Sequence, residues 1–475
     1  MAEDRLKADI CVIGAGAAGL SVAAGAAQLG VETVLIERGP MGGDCLNYGC
    51  VPSKALLAAG KASHFHERAA PFGVHYAPPN VDFAAVQAHV KGVIGAIAPT
   101  DSVARFSGLG VKVIKASARF TGPREVLADG VRIAARRVVV ATGSQPLVPP
   151  IPGLDQVPYL TNETVFDLNR RPDHLIVVGG GPIGCELGQA FRHLGAQVTI
   201  VEMAQILPKD DPELADLVRQ RLRADGIALR EGTQVVAAAP EGTGLVLTLR
   251  CNGVEEALSG SHLLLAVGRR PSVEGLDLEQ AGIAHDAKGI QVDARLRTSN
   301  RKVFAAGDAA GGYQFTHVAG YHAGIVIQNA LFRLPAKANH EAVPWVTYTA
   351  PELASVGLNE AAARERGTTF KVLRWPFAEN DRAQAERQTT GLIKVITAPN
   401  GRILGATIVG PHAGELIHVW ALALSRKLKI SAMAKVMLPY PTLGEVGKRA
   451  SSSFFLPKLF SARSRAIVGF LTRFG

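Results

Sequence analysis

The sequence predicts an α/β protein with two Rossmann-like dinucleotide-binding domains and a C-terminal α+β domain. Three observations carry this. A glycine-rich loop follows an apolar run at Gly14-Ala15-Gly16-Ala17-Ala18-Gly19, and a second does so at Gly179-Gly180-Gly181-Pro182-Ile183-Gly184. In both, a glutamate stands 23 residues after the first glycine, Glu37 and Glu202 respectively. From about Val343 the pattern changes to strands with turns and then to Ala/Leu-rich helix. A length of 475 residues accommodates about three such domains.

Residues 9–13 read as a buried strand, and an Ala-rich helix follows the first loop to about Leu29. A second strand at 32–36 ends on Glu37. In G-x-G-x-x-G the first glycine, Gly14, makes the tight turn. The second, Gly16, lets a pyrophosphate approach the backbone, and Gly19 lets helix and strand pack closely. The pyrophosphate belongs at the helix N-terminus, where amide hydrogens lack partners. Glu37 is placed to take a ribose hydroxyl pair.

Residues 175–178 repeat the strand, Gly179, Gly181 and Gly184 the loop, and a helix runs to about Leu194. The strand at 197–201 ends on Glu202. Two complete fingerprints predict two cofactors, or one cofactor and one dinucleotide substrate. Glu202 can bind a free 2′-hydroxyl but would repel a 2′-phosphate, and no Arg or Lys lies between it and Lys209. NADH is therefore expected at the second site rather than NADPH.

A Pro-rich linker, residues 146–153, separates the two fingerprints, and Gly268-Arg269-Arg270-Pro271 marks the exit from the second. Another strand ends on Gly307-Asp308 and leads into a helical stretch to about Phe332. Composition excludes other classes. Hydrophobic residues at 47% and charged residues at 19% are ordinary for a globular chain, not a disordered one. No apolar run approaches the length of a membrane span. The polar start, Met1-Ala2-Glu3-Asp4-Arg5-Leu6-Lys7, is unlike a signal peptide. Five cysteines are too few for a secreted disulfide scaffold, so a reducing cytoplasm is expected. No nucleic-acid-binding module is recognised.

Cys45 and Cys50 sit in Gly42-Gly43-Asp44-Cys45-Leu46-Asn47-Tyr48-Gly49-Cys50-Val51-Pro52-Ser53-Lys54. Pro52 inside the following apolar stretch marks a helix start. A thiol there has a depressed pKa, which suits disulfide exchange. Zinc would need four ligands, and Cys11, Cys185 and Cys251 are poorly placed to complete such a set. No metal site is expected. A redox disulfide beside a dinucleotide fold is the preferred reading.

With these motifs in order, the chain resembles the class I pyridine nucleotide–disulfide oxidoreductases of the glutathione reductase and lipoamide dehydrogenase type. The resemblance spans about residues 8–450 and includes Ala141-Thr142-Gly143, Gly268-Arg269, Gly307-Asp308 and Pro441-Thr442 followed by Glu445. It implies an FAD-binding domain from residues 1–147 and 269–342, an NAD(P)H-binding domain at 148–268 and a dimerisation domain at 343–450. A basic tail, 451–475, follows. It implies FAD at the first fingerprint, with Thr142, Gly143, Gly307 and Asp308 near it and Asp308 by the ribityl and pyrophosphate. NAD(P)H falls at the second fingerprint, and Gly268 and Arg269 join the cofactor-binding set. It implies a homodimer with shared active sites. Cys50 becomes the thiolate nearer the flavin and Cys45 the one that attacks substrate. Lys54 resembles the family's lysine beside the flavin, and Glu186 its partner.

One position departs from the family. Its C-terminal signature is His-Pro-Thr-x-x-Glu, whereas here Tyr440 replaces the histidine and Glu445 remains. A phenol near pKa ~10 is a poor base at neutral pH, where imidazole at ~6.5 is matched to the task. Tyrosine at this place is similar to mercuric reductases, whose acceptor is a thiophilic metal ion. Yet no C-terminal Cys pair and no N-terminal metal-binding domain is expected, because the chain closes on Thr472-Arg473-Phe474-Gly475 and opens at the FAD strand. The expectation is a mercuric-reductase-like enzyme reducing a disulfide or metal-ion acceptor. The alternatives are a dihydrolipoyl dehydrogenase and a non-catalytic, membrane-docked flavoprotein. His317 and His322 are alternative bases, with a structural role preferred for both.

The net charge is +10, and six of the basic residues follow Glu445 with no acid among them: Lys448, Arg449, Lys458, Arg463, Arg465 and Arg473. Ile467, Val468, Phe470, Leu471 and Phe474 fit one apolar helix face. Packing on its own dimer is the preferred reading of this tail. Peripheral contact with the inner face of an anionic membrane is the alternative.

Overall fold

The computed structural model describes residues 5–474; residues 1–4, which open the expected polar N-terminus, and Gly475 lie outside the described set. The chain forms two compact units. One comprises the chain through Gly179 with Ala190–Val201 and Thr233–Asn339, and the other Gly180–Gln189, Glu202–Gly232 and His340 onward.

The first unit is organised by a largely parallel sheet. Its central strand, Arg5–Ile13, pairs in parallel with Thr33–Ile36 on one side and Val131–Val140 on the other. Lys112–Ile114 and Val303–Ala305 extend it in parallel. Ile10, Cys11 and Val12 have no solvent exposure, as a strand covered on both faces requires. The helices Ala17–Gln28 and Thr316–Ala330 share one apolar core, where Ala18, Ala23, Ala319 and Ala323 permit close packing.

A second parallel set joins His174–Val178 to Gln197–Val201 and His262–Leu265. An antiparallel sheet of Thr233–Glu241, Gly244–Cys251 and Val254–Gly260 accompanies it. The Pro-rich linker is not free-standing: Ser144–Pro146 pairs with Arg269–Pro271, so the way into and out of this segment runs as one ribbon. The first strand starts at Arg5, four residues before the expected Asp9, and the helix ends differ by a residue or two. The first helix stops at Gln28 and the helix after Gly307-Asp308 at Ala330.

The second unit holds a five-stranded antiparallel sheet. Its order is Pro344–Thr347, Glu352–Gly357, Ile403–Gly410, Leu392–Thr397 and Lys371–Pro376. Helix Ala413–Ser425 covers it through Ile417, Trp420 and Ala423. Inside lies a charged cluster: Lys394, only 4% exposed, contacts Asp211 at 2.8 Å, Glu213 at 2.6 Å and Glu360 at 3.0 Å. Asp211 also caps helix Pro212–Ala224. The tail forms helices Leu456–Leu459 and Ala462–Leu471; Ile467, Val468, Phe470 and Leu471 of the expected apolar face share the second, and Phe474 lies beyond it.

Candidate active site

The two fingerprints fold with the same local wiring. Gly14 has φ +103° and Gly179 φ +112°, conformations that favour glycine. A Cβ on Gly14 would strike the Ala141 carbonyl, and one on Gly179 the Ala266 carbonyl. Gly16 accepts the first helical bond from Leu20 at 2.9 Å, and Gly181 accepts its counterpart from Cys185 at 3.0 Å. A Cβ on Gly19 would collide with the Gly14 carbonyl, which is the close strand–helix approach expected of the third glycine. Gly184 is buried at the equivalent place.

The acids repeat as well. Glu37 accepts from the amides of Ala15 and Gly39, both at 2.6 Å. Glu202 accepts from Gly180 at 2.7 Å and Ala204 at 2.9 Å. Each carboxylate thus bridges its glycine loop to the end of the next strand, with lone pairs left for a ligand hydroxyl. Neither helix carries an acid in its first turn, which leaves its amide end attractive to an anion.

The first loop also meets the redox segment. Gly42 and Gly43 have φ +89° and +60°, and a Cβ on Gly43 would lie 2.7 Å from the Gly16 Cα. Two bare backbone segments therefore face each other, a cradle that fits a pyrophosphate. Beyond it, Cys45 lies in the short helix Gly43–Asn47, and Cys50 is the first residue of helix Cys50–Ala69. Both are free thiols here.

Their protons are unequally held. Cys50 is lowered to about 6, first by its hydrogen bond with Cys45, then by the Thr316 hydroxyl and the Lys54 charge; burial and Asp44 oppose this. Cys45 is raised, first by the same bond and then by burial. The Cys50 sulfur lies 3.4 Å from the Thr316 Oγ1, and Thr316 opens the helix Thr316–Ala330. One sulfur thus sits against two helix N-termini, where a thiolate is favoured.

A polar chain runs through the same unit. Arg269 donates to Asp44 at 2.9 Å, Asn162 at 3.1 Å and the Ser144 hydroxyl at 2.8 Å. Ser144 in turn donates to Asp308 at 2.6 Å. Burial raises the Asp308 carboxyl, while Ser144 and Arg269 pull it back. Thr142 donates to the Ser272 carbonyl at 2.6 Å, and the Gly143 carbonyl accepts from Ser272 at 2.9 Å. Gly307, with φ +64°, donates its amide to the buried His322 ring at 3.2 Å. His322 is thereby engaged in shaping this turn, while His317 is exposed and stacks on Phe315. The Gly268 carbonyl accepts from Leu147 at 3.0 Å.

The remaining expected residues belong to the second unit. Glu186 is buried and accepts from the Tyr348 amide at 2.9 Å. Tyr440 is 70% exposed and donates to Asp381 at 2.8 Å, and this bond raises its pKa further. Glu445 begins helix Glu445–Ser453. Sequence reasoning missed Asp44, Ser144, Asn162, Thr316 and Asp381. The first stands within the redox motif itself. The others carry no local signal, because their partners are distant in sequence.

A family model described as pyridine nucleotide-disulphide oxidoreductase matches residues 8–323, and one described as the dimerisation domain of that family matches residues 343–451. The chain belongs to this family. It is an enzyme of the pyridine nucleotide–disulfide oxidoreductases, a family that implies FAD and a pyridine nucleotide, and its dimerisation domain supports a homodimer. A mercuric reductase of Bacillus cereus is 36% identical over 455 residues, spanning 95% of this chain and 72% of its own. A dihydrolipoyl dehydrogenase of Thermus scotoductus is 39% identical over 456 residues, spanning 92% and 95%. The solved structure of the HOCl-induced flavoprotein disulfide reductase RclA from Escherichia coli aligns with TM-score 0.84 at 28% identity, over 94% of this chain and 99% of its own. Among the described residues, no helix is long and apolar enough to cross a membrane.

Proposed function

We propose that this oxidoreductase passes two electrons from NADH to the Cys45–Cys50 pair and on to a disulfide or a thiophilic metal ion. The observation that carries the reading is the unequal thiol pair beside the first glycine loop, with Cys50 lowered to about 6. The FAD-binding portion comprises 1–147 and 269–342, the NADH-binding portion 148–268, the dimerisation domain 343–450 and the tail 451–475. Gly14, Gly16, Gly19 and Glu37, with Thr142, Gly143, Gly307 and Asp308, hold FAD. Gly179, Gly181, Gly184 and Glu202 hold the nicotinamide nucleotide, with Gly268 and Arg269 at the join. Two acceptor oxygens on Glu202 favour NADH, because a 2′-phosphate there would meet like charge.

When bound in that cradle, FAD would supply two-electron transfer between the nicotinamide and sulfur. The electron pair and the proton that comes with the hydride open the Cys45–Cys50 disulfide to a Cys45 thiol and a Cys50 thiolate; the one further proton, from solvent, goes to the second sulfur to leave. Cys50 holds the thiolate, with Lys54 as its positive neighbour, and Glu186 is the partner proposed for that lysine. Against a disulfide substrate, Cys45 attacks one sulfur and the first thiol leaves. Cys50 then attacks Cys45, restores the enzyme disulfide and releases the second thiol. Tyr440 and Glu445, contributed across the dimer, flank the acceptor. The bond from Tyr440 to Asp381 keeps the phenol protonated at neutral pH, which favours an acceptor needing little base catalysis.

Anaerobic titration with NADH, followed by lipoamide, glutathione disulfide and Hg(II), tests this. NADH is expected to bleach the flavin and the thiophilic acceptor to restore its colour. A Cys50→Ser chain that keeps the wild-type long-wavelength band would sink the relay. Dihydrolipoyl dehydrogenase activity is the second reading, favoured by the 39% identity to the Thermus enzyme, and rapid turnover with lipoamide would establish it.

Cytoplasmic placement with peripheral membrane contact is a separate proposal. Leu459, Phe460, Ile467, Val468, Phe470 and Leu471 are each at least half exposed. Lys458, Arg463, Arg465 and Arg473 beside them match an anionic lipid surface. Vesicles of phosphatidylglycerol should sediment the full chain but not one ending at Leu456. Equal partitioning would overturn the contact and assign the tail to a second copy.

A further inference from the structure

Asp44 lies between the first glycine loop and Cys45, and the relay described above gives it no task. Its carboxylate is nevertheless held from two directions. Arg269, 13% exposed, donates to Oδ1 at 2.9 Å, and the buried Asn162 donates to the same oxygen at 3.0 Å. Asn162 also donates to the Tyr48 carbonyl at 3.1 Å, so one amide ties both ends of the segment between the cysteines. The other carboxylate oxygen packs on Gly49, where a Cβ would come within 2.8 Å. The charge is therefore fixed against the backbone that carries Cys50.

We propose that Arg269 and Asn162 hold the Asp44 carboxylate against the Cys45–Cys50 loop, and that this restrained charge opposes the thiolate on the reduced Cys50. The inference rests on the Cys45–Cys50 pair being the redox centre. Asp44 is a positioning residue: it acts on the sulfur through the field and through the loop. A fixed negative charge opposes a thiolate nearby, and the Arg269 guanidinium offsets part of that opposition. The groups acting on Cys50 are Lys54 on its own helix, Cys45 and Asp44 from the preceding loop, and Thr316 from the facing helix. The bond from Cys45, then Thr316 and Lys54, favour the thiolate; burial resists it first, and Asp44 adds the one opposing charge. Through Arg269 and Ser144 the same clamp reaches Asp308, so the redox loop and the Gly307-Asp308 turn are held by one chain of bonds.

The test uses the chemically reduced, FAD-loaded protein in a Cys45→Ser background, where serine keeps a hydroxyl beside Cys50. The rate at which iodoacetamide alkylates the Cys50 peptide is followed by mass spectrometry against pH. Asp44→Asn removes the opposing charge, while Arg269 keeps its bonds to Asn162 and Ser144. The midpoint should fall by about half a unit, which is roughly a threefold faster reaction below the midpoint. Asp44→Glu keeps the charge and should restore the parental midpoint. Asp44→Ser, smaller and neutral, makes the same comparison should the asparagine chain fail to fold. A neutral variant whose midpoint stays or rises would overturn the proposal, as would a glutamate variant that titrates like the asparagine one. The flavin–thiolate band, read on the same samples, reports separately on the relay. Its absence with a normal alkylation profile would count against the relay and leave the Asp44 effect measurable.

Discussion

Two sulfurs five residues apart in sequence acquire opposite tendencies from their surroundings. Cys50 heads a helix and faces the first residue of another, while Cys45 gives up its advantage through the bond they share. Cys50 is lowered from 9.0 to about 6, so its reactivity should rise as pH passes upward through that value and level off above it. Alkylation of the reduced protein between pH 5 and 8 checks this; a midpoint near the ordinary ~8.5 of a free thiol would contradict it. Tyr440 is governed by its bond to Asp381, which stabilises the phenol. Replacing it by histidine restores a group that titrates near neutrality. Tyr440→His should raise dihydrolipoamide oxidation by about tenfold or more, short of the ~10²–10⁴-fold of a fully positioned base. An unchanged or lower steady-state rate would show that the missing imidazole is not what limits that reaction.

At the scale of elements, each glycine loop is a strand-to-helix turn whose first residue has no room for a side chain. Gly14→Ala would combine a strained φ with a clash against the Ala141 carbonyl. The variant should purify with most of its FAD lost, read from the ratio of flavin to protein absorbance. In the second unit, Asp210 accepts from the Trp345 indole at 2.7 Å, yet burial pushes its carboxyl up to about 6. A raised carboxyl binds its proton more tightly in the folded state. Its contribution is full below the ordinary carboxylate range and is lost as pH rises through about 6. Asp210→Asn keeps an acceptor for Trp345 and removes that loss. It should raise Tm by roughly 2–4 °C at pH 8 and have little effect at pH 4. Lys394 is the opposite case, a buried cation matched by three carboxylates. Lys394→Met leaves the buried Asp211 without its cation, while Arg374 still pairs with Glu213 and Glu360, and should cost about 3 kcal/mol, measured by denaturant midpoint.

At the scale of the molecule, the matched dimerisation domain means that sedimentation should find two copies at micromolar concentration. The high glycine content, 51 residues, resolves in part into the two loops, the Gly42-Gly43 cradle and the Gly307 turn. Of the net charge of +10, six units follow Glu445, four of them in the tail.

The α/β class, the two fingerprints and the cysteine pair were legible because each is a local pattern. A strand, a glycine turn and a helix N-terminus lie within about thirty residues, and their chemistry follows from backbone sterics and unpaired amides. The departure at Tyr440 was legible for the same reason, since a motif fixes which residue type should stand there. What the sequence could not state is which charges meet. Asp44 with Arg269, Ser144 with Asp308, Cys50 with Thr316, and Tyr440 with Asp381 are each brought together from separate segments. In the tail, the expected helix face holds for Ile467, Val468, Phe470 and Leu471, while Phe474 lies beyond helix Ala462–Leu471. Periodicity selects a buried face, but it carries no record of the partner across the fold. The strength of a charge or hydrogen bond depends on distance and burial, which exist only once the chain has closed on itself.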